Sequence, residues 1–237
     1  MIQNTFSLTP KRKALAWSVH LFTATGAVWG MLAVWAIQER LWWAVFSWMT
    51  IAIFVDSFDG VLARRFRVKE VLPNFDGALL DNILDYFNYV IVPVFFMVEV
   101  ELMPASVVVI ASSSVLLASS YQFCQIDAKT EDHYFKGFPS YWNVAVLYML
   151  VLNSNVWFNF AIIMLFCVLI FIPLKYLYPS RSQHHPRFNF ALSLVWGGVC
   201  MIVLLQFPYH SPWLVWLSLV YVMYYFIYSF YINIAQR

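Results

Sequence analysis

The chain has 237 residues, of which 62% are apolar, 20% aromatic and only 11% charged, and its mean hydropathy is +0.71. Soluble domains carry about 45–50% apolar and about 25% charged residues, so this composition excludes an ordinary soluble globule and a disordered chain. A net charge of +2 is too small to point to nucleic acid as a partner.

A membrane-crossing helix takes roughly 20 apolar residues. Apolar runs broken by charges, Pro and Asn predict eight spans, at about 14–37, 41–63, 77–98, 103–124, 140–153, 156–177, 188–207 and 212–233. The expected fold is an all-α membrane bundle of eight helices in a single domain, 1–237, because a lipid-embedded backbone must satisfy its own hydrogen bonds. The first run follows Lys11, Arg12 and Lys13 but is longer than the ~7–15 apolar residues of a signal peptide and has no clean cleavage site, so it reads as a retained anchor. Cys124, Cys167 and Cys200 have no metal-ligand spacing and read as small apolar residues.

Lys and Arg set the orientation. With the N-terminus in the cytoplasm, 13 of the 14 basic residues fall on that side and only Arg40 lies outside. This asymmetry predicts an even number of crossings and both termini in the cytoplasm.

The end of the second span and the start of the third hold the acids. Asp56 and Asp59 are three residues apart, and Asp81 and Asp85 four apart, so each pair stacks on one face of its helix. Gly60, Ala63 and Gly77 fall near the same faces and leave room for something bulky. Four unpaired carboxylates at a membrane edge would repel one another, so they are either protonated or share cations. All-oxygen ligands favour hard ions, Mg²⁺ or Mn²⁺, as a two-metal pair that also binds substrate phosphates. Arg64 is placed to grip such a phosphate. Any one of these acids alone would read as a helix cap or a solvated charge, and Asp76 before Gly77 reads as a cap. Intramembrane acids also line cation-coupled transporters, but there they sit near the bilayer midplane, whereas these lie close to the basic connector.

The order Asp56-xx-Asp59-Gly60-xx-Ala63-Arg64, then Gly77-xxx-Asp81-xxx-Asp85, resembles the signature of the CDP-alcohol phosphotransferases. The family's usual gap between the Arg and the second Gly is about eight residues, whereas twelve separate Arg64 from Gly77. That longer connector and the downstream run from Phe135 to Asn143 are similar to the bacterial members that use choline as acceptor. The resemblance implies an inner-membrane enzyme with its site facing the cytoplasm. It would transfer the phosphatidyl group from CDP-diacylglycerol to choline and release CMP, with Mn²⁺ or Mg²⁺. The last two helices would be an addition to a six-helix core. By the same resemblance Asp56, Asp59, Asp81 and Asp85 hold the metals. Asp56, Asp59, Gly60, Ala63, Arg64, Gly77 and Asp81 line the CDP pocket, and Asp85 is the general base. Relatives that use serine, glycerol phosphate or inositol phosphate are the alternative within the family.

A quaternary ammonium is held by aromatic faces, and 47 residues here are Phe, Trp or Tyr. The choline candidates are those on the same side as the acids: Tyr86, Tyr121, Tyr134, Tyr141 and Trp142, with Glu131 or Asp132 as counter-charge. Trp42, Trp43, Trp213 and Trp216 fit an interfacial belt. His20 reads as a satisfied interhelical hydrogen bonder, His184 and His185 as solvated, and Lys175 and Arg181 as snorkelling interfacial cations. Gly26 and Gly30 have the GxxxG spacing that permits close helix packing, within the chain or in a homodimer.

Overall fold

The computed structural model describes residues 9–179 and 186–235; Arg181, His184 and His185 lie outside the described residues. The chain divides into two compact units, Met1–Asn88 and Tyr89–Arg237.

In the first unit, α1 (Pro10–Gln38) opens with Thr9 as its cap, whose side chain accepts from the Arg12 amide, and Pro10 in the first turn. It packs along α2 (Trp42–Arg65) and against α4 (Gly77–Tyr86), whereas α2 and α4 make few direct contacts with each other. Trp29 stacks on Trp48 at 5.7 Å across the α1–α2 seam. Gly26 and Gly30 form the seat for α4. A Cβ on Gly30 would fall 2.5 Å from both Asn88 Oδ1 and Phe87 Cε1, and Asn88 Nδ2 donates to the Gly26 carbonyl at 3.1 Å. The GxxxG face is therefore used within the chain, to bring two helix backbones together.

The connector after Arg64 is not slack. It contains a short helix, α3 (Val68–Val71), whose Val68 and Val71 are buried against Ala16 and Val19 of α1, with Leu62, Ala63, Phe66 and Leu72 around them. Beyond α4 the helix runs through a π-helical turn, Phe87–Ile91, into α5 (Val92–Glu99). Pro93 explains the widened turn: it has no N–H to give the carbonyl one turn back, and its ring would collide there in a regular α-helix.

The second unit continues with α6 (Val108–Cys124), β1 (Tyr134–Lys136), α7 (Trp142–Val151), α8 (Val156–Phe171), β2 (Lys175–Leu177), α9 (Pro186–Leu205) and α10 (Pro212–Ala235). The strands pair antiparallel, Tyr134 opposite Leu177 and Lys136 opposite Lys175. The helix expected over 156–177 therefore ends early, at Phe171, and gives way to a strand. Pro173 supplies no donor. The amides of Gly137 and Phe138 donate to the carbonyls of Leu174 and Leu169 at 2.8 and 3.1 Å, satisfying groups that the helix end leaves open. Gly137 has φ +77°, and a Cβ there would run into the Ile170 carbonyl, so only glycine fits.

Polar side chains tie the last two helices down. Asn189 accepts from Tyr224, Ser193 pairs with Tyr221, and Tyr148 of α7 donates to Ser218 while accepting from Trp196. Asn233 both accepts from the Lys175 amide and donates to the Lys175 carbonyl.

Among the described residues five helices are long and apolar enough to cross a membrane: Pro10–Gln38, Trp42–Arg65, Gly77–Glu99, Pro186–Leu205 and Pro212–Ala235. Their outer faces carry exposed Leu, Val, Ile and aromatic side chains, Trp43, Trp213 and Trp216 among them. Such continuous apolar surface belongs against lipid. The chain is a helical membrane protein with, among the described residues, one small two-stranded sheet. Helices α6, α7 and α8 are shorter, and α7, with ten residues, is about 15 Å long against a hydrocarbon core of about 30 Å.

Candidate active site

Two helix ends in the first unit carry the acids. Asp56, Asp59, Gly60, Ala63 and Arg64 lie on the last turns of α2, and Gly77, Asp81 and Asp85 on α4. Asp76 caps α4, one carboxylate oxygen accepting from the amides of Ala78 and Leu79 at 3.1 and 3.0 Å. Its role is that of a cap, and the helix it starts at Gly77 reaches Asp81 four residues later. Asn88 holds the far end by bonding both the Gly26 carbonyl and its own Leu84 carbonyl.

Asp56, Asp81 and Asp85 converge. Each offers one carboxylate oxygen, and the three lie within 4.8 Å of one another. Asp59 is the most buried acid, at 7% exposure. It sits against the Thr23 hydroxyl of α1 and the Asp81 carboxyl, with the Asp56 charge close by. The carboxylates of α2 and α4 thus come together beside α1, against which both helices pack.

The donor set fits a hard divalent ion. Mg²⁺ bonds of 2.0–2.1 Å place ligand oxygens up to about 4.2 Å apart, so small side-chain rotations complete the site. Two carboxyls as close as Asp59 and Asp81 repel unless a proton or cation lies between them.

The small residues of the signature serve different ends. A Cβ on Gly60 would meet only the end of the Arg64 side chain, Nη1 at 3.2 Å, so the space over Gly60 is open apart from a mobile guanidinium. Arg64 itself is exposed at the C-terminal end of α2, where its charge also suits the helix dipole. Ala63 packs against the α1–α3 apolar cluster. Gly77 faces His20, whose Cε1 would lie 2.6 Å from a Cβ placed there. The expectation of a hydrogen-bonded His20 fails: its ring packs between Phe75, at 4.3 Å, and Gly77, and its buried Nε2 has no partner among the described residues. The surrounding groups are apolar rings and a glycine, which offer it nothing. Thr23 escaped the sequence reading, although a polar residue one turn from His20 in an apolar helix was a usable signal.

Of the choline candidates, Tyr86 follows Asp85 on α4 and is half-buried. The others belong to the second unit. Trp142 is fully buried, its indole N–H donating to Ser119 Oγ at 2.8 Å, so its ring serves the interior. Tyr134 is buried under Lys175, whose Nζ lies 5.7 Å from the ring centroid. That cation is in turn paired with Asp132 at 2.6 Å. Tyr121 is half-exposed against Phe171, Tyr141 packs edge-on to Phe135 and Tyr225, and Glu131 is exposed.

Residues 19–174 match the CDP-alcohol phosphatidyltransferase family. The chain is 45% identical to the phosphatidylcholine synthase of Legionella pneumophila over 223 residues, covering 91% of this chain and 88% of that one. It is 36% identical to the phosphatidylcholine synthase of Pseudomonas aeruginosa over 206 residues, covering 87% of each. With the acids, glycines and arginine of the signature gathered at one end of two neighbouring helices, the chain belongs to the CDP-alcohol phosphatidyltransferase family.

Proposed function

We propose that this protein is an enzyme that transfers the phosphatidyl group of CDP-diacylglycerol to choline, giving phosphatidylcholine and CMP. The observation that carries the reading is the three-carboxylate cluster, Asp56, Asp81 and Asp85, at the signature of a chain that resembles phosphatidylcholine synthases over nearly its whole length.

Asp56, Asp59, Asp81 and Asp85 would hold a divalent ion, Mn²⁺ or Mg²⁺, in one or two positions, and the ion would supply Lewis-acid stabilisation of the negative charge that develops as CMP leaves. Gly60 keeps bulk away from the nucleotide, and Arg64 grips a phosphate oxygen by paired hydrogen bonds. Asp85 accepts the proton of the choline hydroxyl as its oxygen attacks phosphorus. The new P–O bond forms as the bond to CMP breaks, and positioning with one nearby base supplies most of what such a displacement needs. Aromatic rings would hold the trimethylammonium group, and Tyr86, next to Asp85 on α4, is half-buried.

We place the site at the cytoplasmic face of a bacterial inner membrane, with eight crossings and both termini inside. The bias of 13 of 14 basic residues supports this orientation. Eight crossings need α7 to be completed by the non-helical residues before it. Those residues, 137–140, are buried, and the amides of Gly137 and Phe138 are satisfied by carbonyls around the end of α8. Irregular backbone at membrane depth is tolerated when protein covers it in this way. The family match ends at residue 174, which supports reading α9 and α10 as an addition to the core.

The test is CMP release by the purified protein given CDP-diacylglycerol, Mn²⁺ and one alcohol at a time. Release with choline is expected. No release with choline sinks the reading, and release only with serine, glycerol phosphate or inositol phosphate selects another acceptor.

A further inference from the structure

We propose that His20 is a positioning residue of the active site: its imidazole, seated on Gly77, fixes the first turn of α4 and thereby where Asp81 and Asp85 stand relative to Asp56. The proposal rests on reading these acids as the transferase metal site.

The contact is steric and close. A Cβ added to Gly77 would lie 2.6 Å from His20 Cε1 and 3.2 Å from Nδ1, so the ring edge occupies the space where any other residue would carry its side chain. The backbone does not ask for glycine here, because Gly77 opens α4 with no positive φ. Alanine would suit a helix better on propensity alone. What excludes it is the imidazole. Gly60 makes the contrast, because a Cβ there meets only a guanidinium that can swing aside. Two glycines of one signature therefore have different reasons: Gly60 borders open space, and Gly77 receives a ring from α1.

That ring is itself held. Phe75 lies 4.3 Å from it and Trp17 5.9 Å, centroid to centroid, and His20 is only 7% exposed. Its Nε2 makes no hydrogen bond among the described residues, so van der Waals contact is what the ring supplies. The same stretch of α1 goes on to set the rest of the site. Thr23, one turn along, meets Asp59, and Gly26 and Gly30 receive Leu84, Phe87 and Asn88. Helix α4 is thus pinned at Gly77 by His20 and near its other end by Asn88 on Gly26, with Asp81 and Asp85 between the two pins. Metal ligands must be held to a fraction of an ångström, so a shift of the first turn is felt at the cluster.

The experiment is a double-mutant cycle read by Mn²⁺ binding, with electron paramagnetic resonance on the protein in detergent, alongside CMP release. Gly77→Ala is expected to weaken Mn²⁺ binding at least about tenfold, and the pair Gly77→Ala with His20→Ala to recover most of that loss, since the second substitution removes the clash. His20→Ala alone should weaken Mn²⁺ binding by about two- to threefold, less than Gly77→Ala does, and lower kcat while leaving the KM for choline unchanged, a split that mere loss of stability does not produce. The proposal is overturned if Gly77→Ala binds Mn²⁺ as the parent does. It is equally overturned if the double variant is as weak as Gly77→Ala alone, which would mean that a ligand and not His20 needs the glycine. Should Gly77→Ala fail to fold, His20→Ala decides, because it adds no atoms: unchanged Mn²⁺ affinity refutes the positioning role. A parent protein that binds Mn²⁺ but releases no CMP with choline defeats the proposed reaction and leaves the cycle intact as a test. A parent that binds no Mn²⁺ defeats both.

Discussion

Asn88 donates from Nδ2 to the carbonyl oxygen of Gly26, 3.1 Å away on another helix and 62 residues earlier in the chain, while bonding its own Leu84 carbonyl at 2.9 Å. One amide thus ties α4 to α1 at the place where two glycines let the backbones approach.

Widening that approach should weaken the first unit. Gly30→Ala would set a methyl 2.5 Å from Asn88 Oδ1 and Phe87 Cε1, so both side chains would have to shift. Overpacking of this kind costs about 1–3 kcal/mol, and Asn88→Ala, which loses the interhelical bond, about 0.6–2 kcal/mol. Thermal unfolding in detergent should show a lower midpoint for both, with Gly30→Ala lower still.

Removing the proposed base should separate binding from chemistry. Asp85→Asn keeps the shape and loses the proton acceptor, so CMP release is expected to fall by at least about a hundredfold. Retention of CDP-diacylglycerol by the variant, measured by its protection of thermal unfolding, should persist. Full turnover in Asp85→Asn would remove its assigned role.

Chelation gives a third expectation. Removing a divalent ion from among Asp56, Asp81 and Asp85 would leave their carboxylates crowded together, so EDTA should stop CMP release and lower the unfolding midpoint. Mn²⁺ at about a hundred times its dissociation constant should return roughly 2.7 kcal/mol of stability through mass action. Unfolding curves that ignore both EDTA and Mn²⁺ would place the ion elsewhere or nowhere.

The two-stranded sheet formed by β1 and β2 has its own pH window. Burial works against the charge on Asp132, yet hydrogen bonds from Lys175 and Thr130 and the Lys175 charge hold its carboxyl below the ordinary carboxylate range. A depressed carboxylate stabilises the folded state above its unfolded value near 3.9 and loses that contribution as pH falls through the folded value. Amide exchange at residues 134–136 and 175–177 should therefore be insensitive to this pair between pH 5 and 8, at about one to four units above the unfolded value, and should quicken only in strong acid. Asp132→Asn should show the quickened exchange at neutral pH, after correction for the intrinsic rate.

The acids were legible because spacings of three and four residues translate directly into one helix face, and because charge is scarce in an apolar chain. Asp76 was equally plain as a cap. GxxxG told which face of α1 packs closely but not what it meets; the partner is 62 residues away and depends on where α4 begins and ends. The stop of α8 at Phe171 was masked by hydropathy that runs on to Leu177, although Pro173 marks it, and the Phe138 amide from a distant loop bonds the Leu169 carbonyl in its last turn. His20 was misread for a related reason. A histidine in a span suggests a hydrogen-bond partner, and only the fold reveals that its neighbours are Phe75 and a glycine.

The four-residue helix Val68–Val71 gives the long connector a fixed length. Its two valines roof over Ala16 and Val19, so the twelve residues between Arg64 and Gly77 are measured out by packing and do not simply bridge a gap. Trimming this loop to the family's usual length would strip that roof from α1 and drag Gly77 away from His20. Segments grafted between members of this family should therefore be exchanged with their own first helix attached, as a lid is exchanged with its hinge.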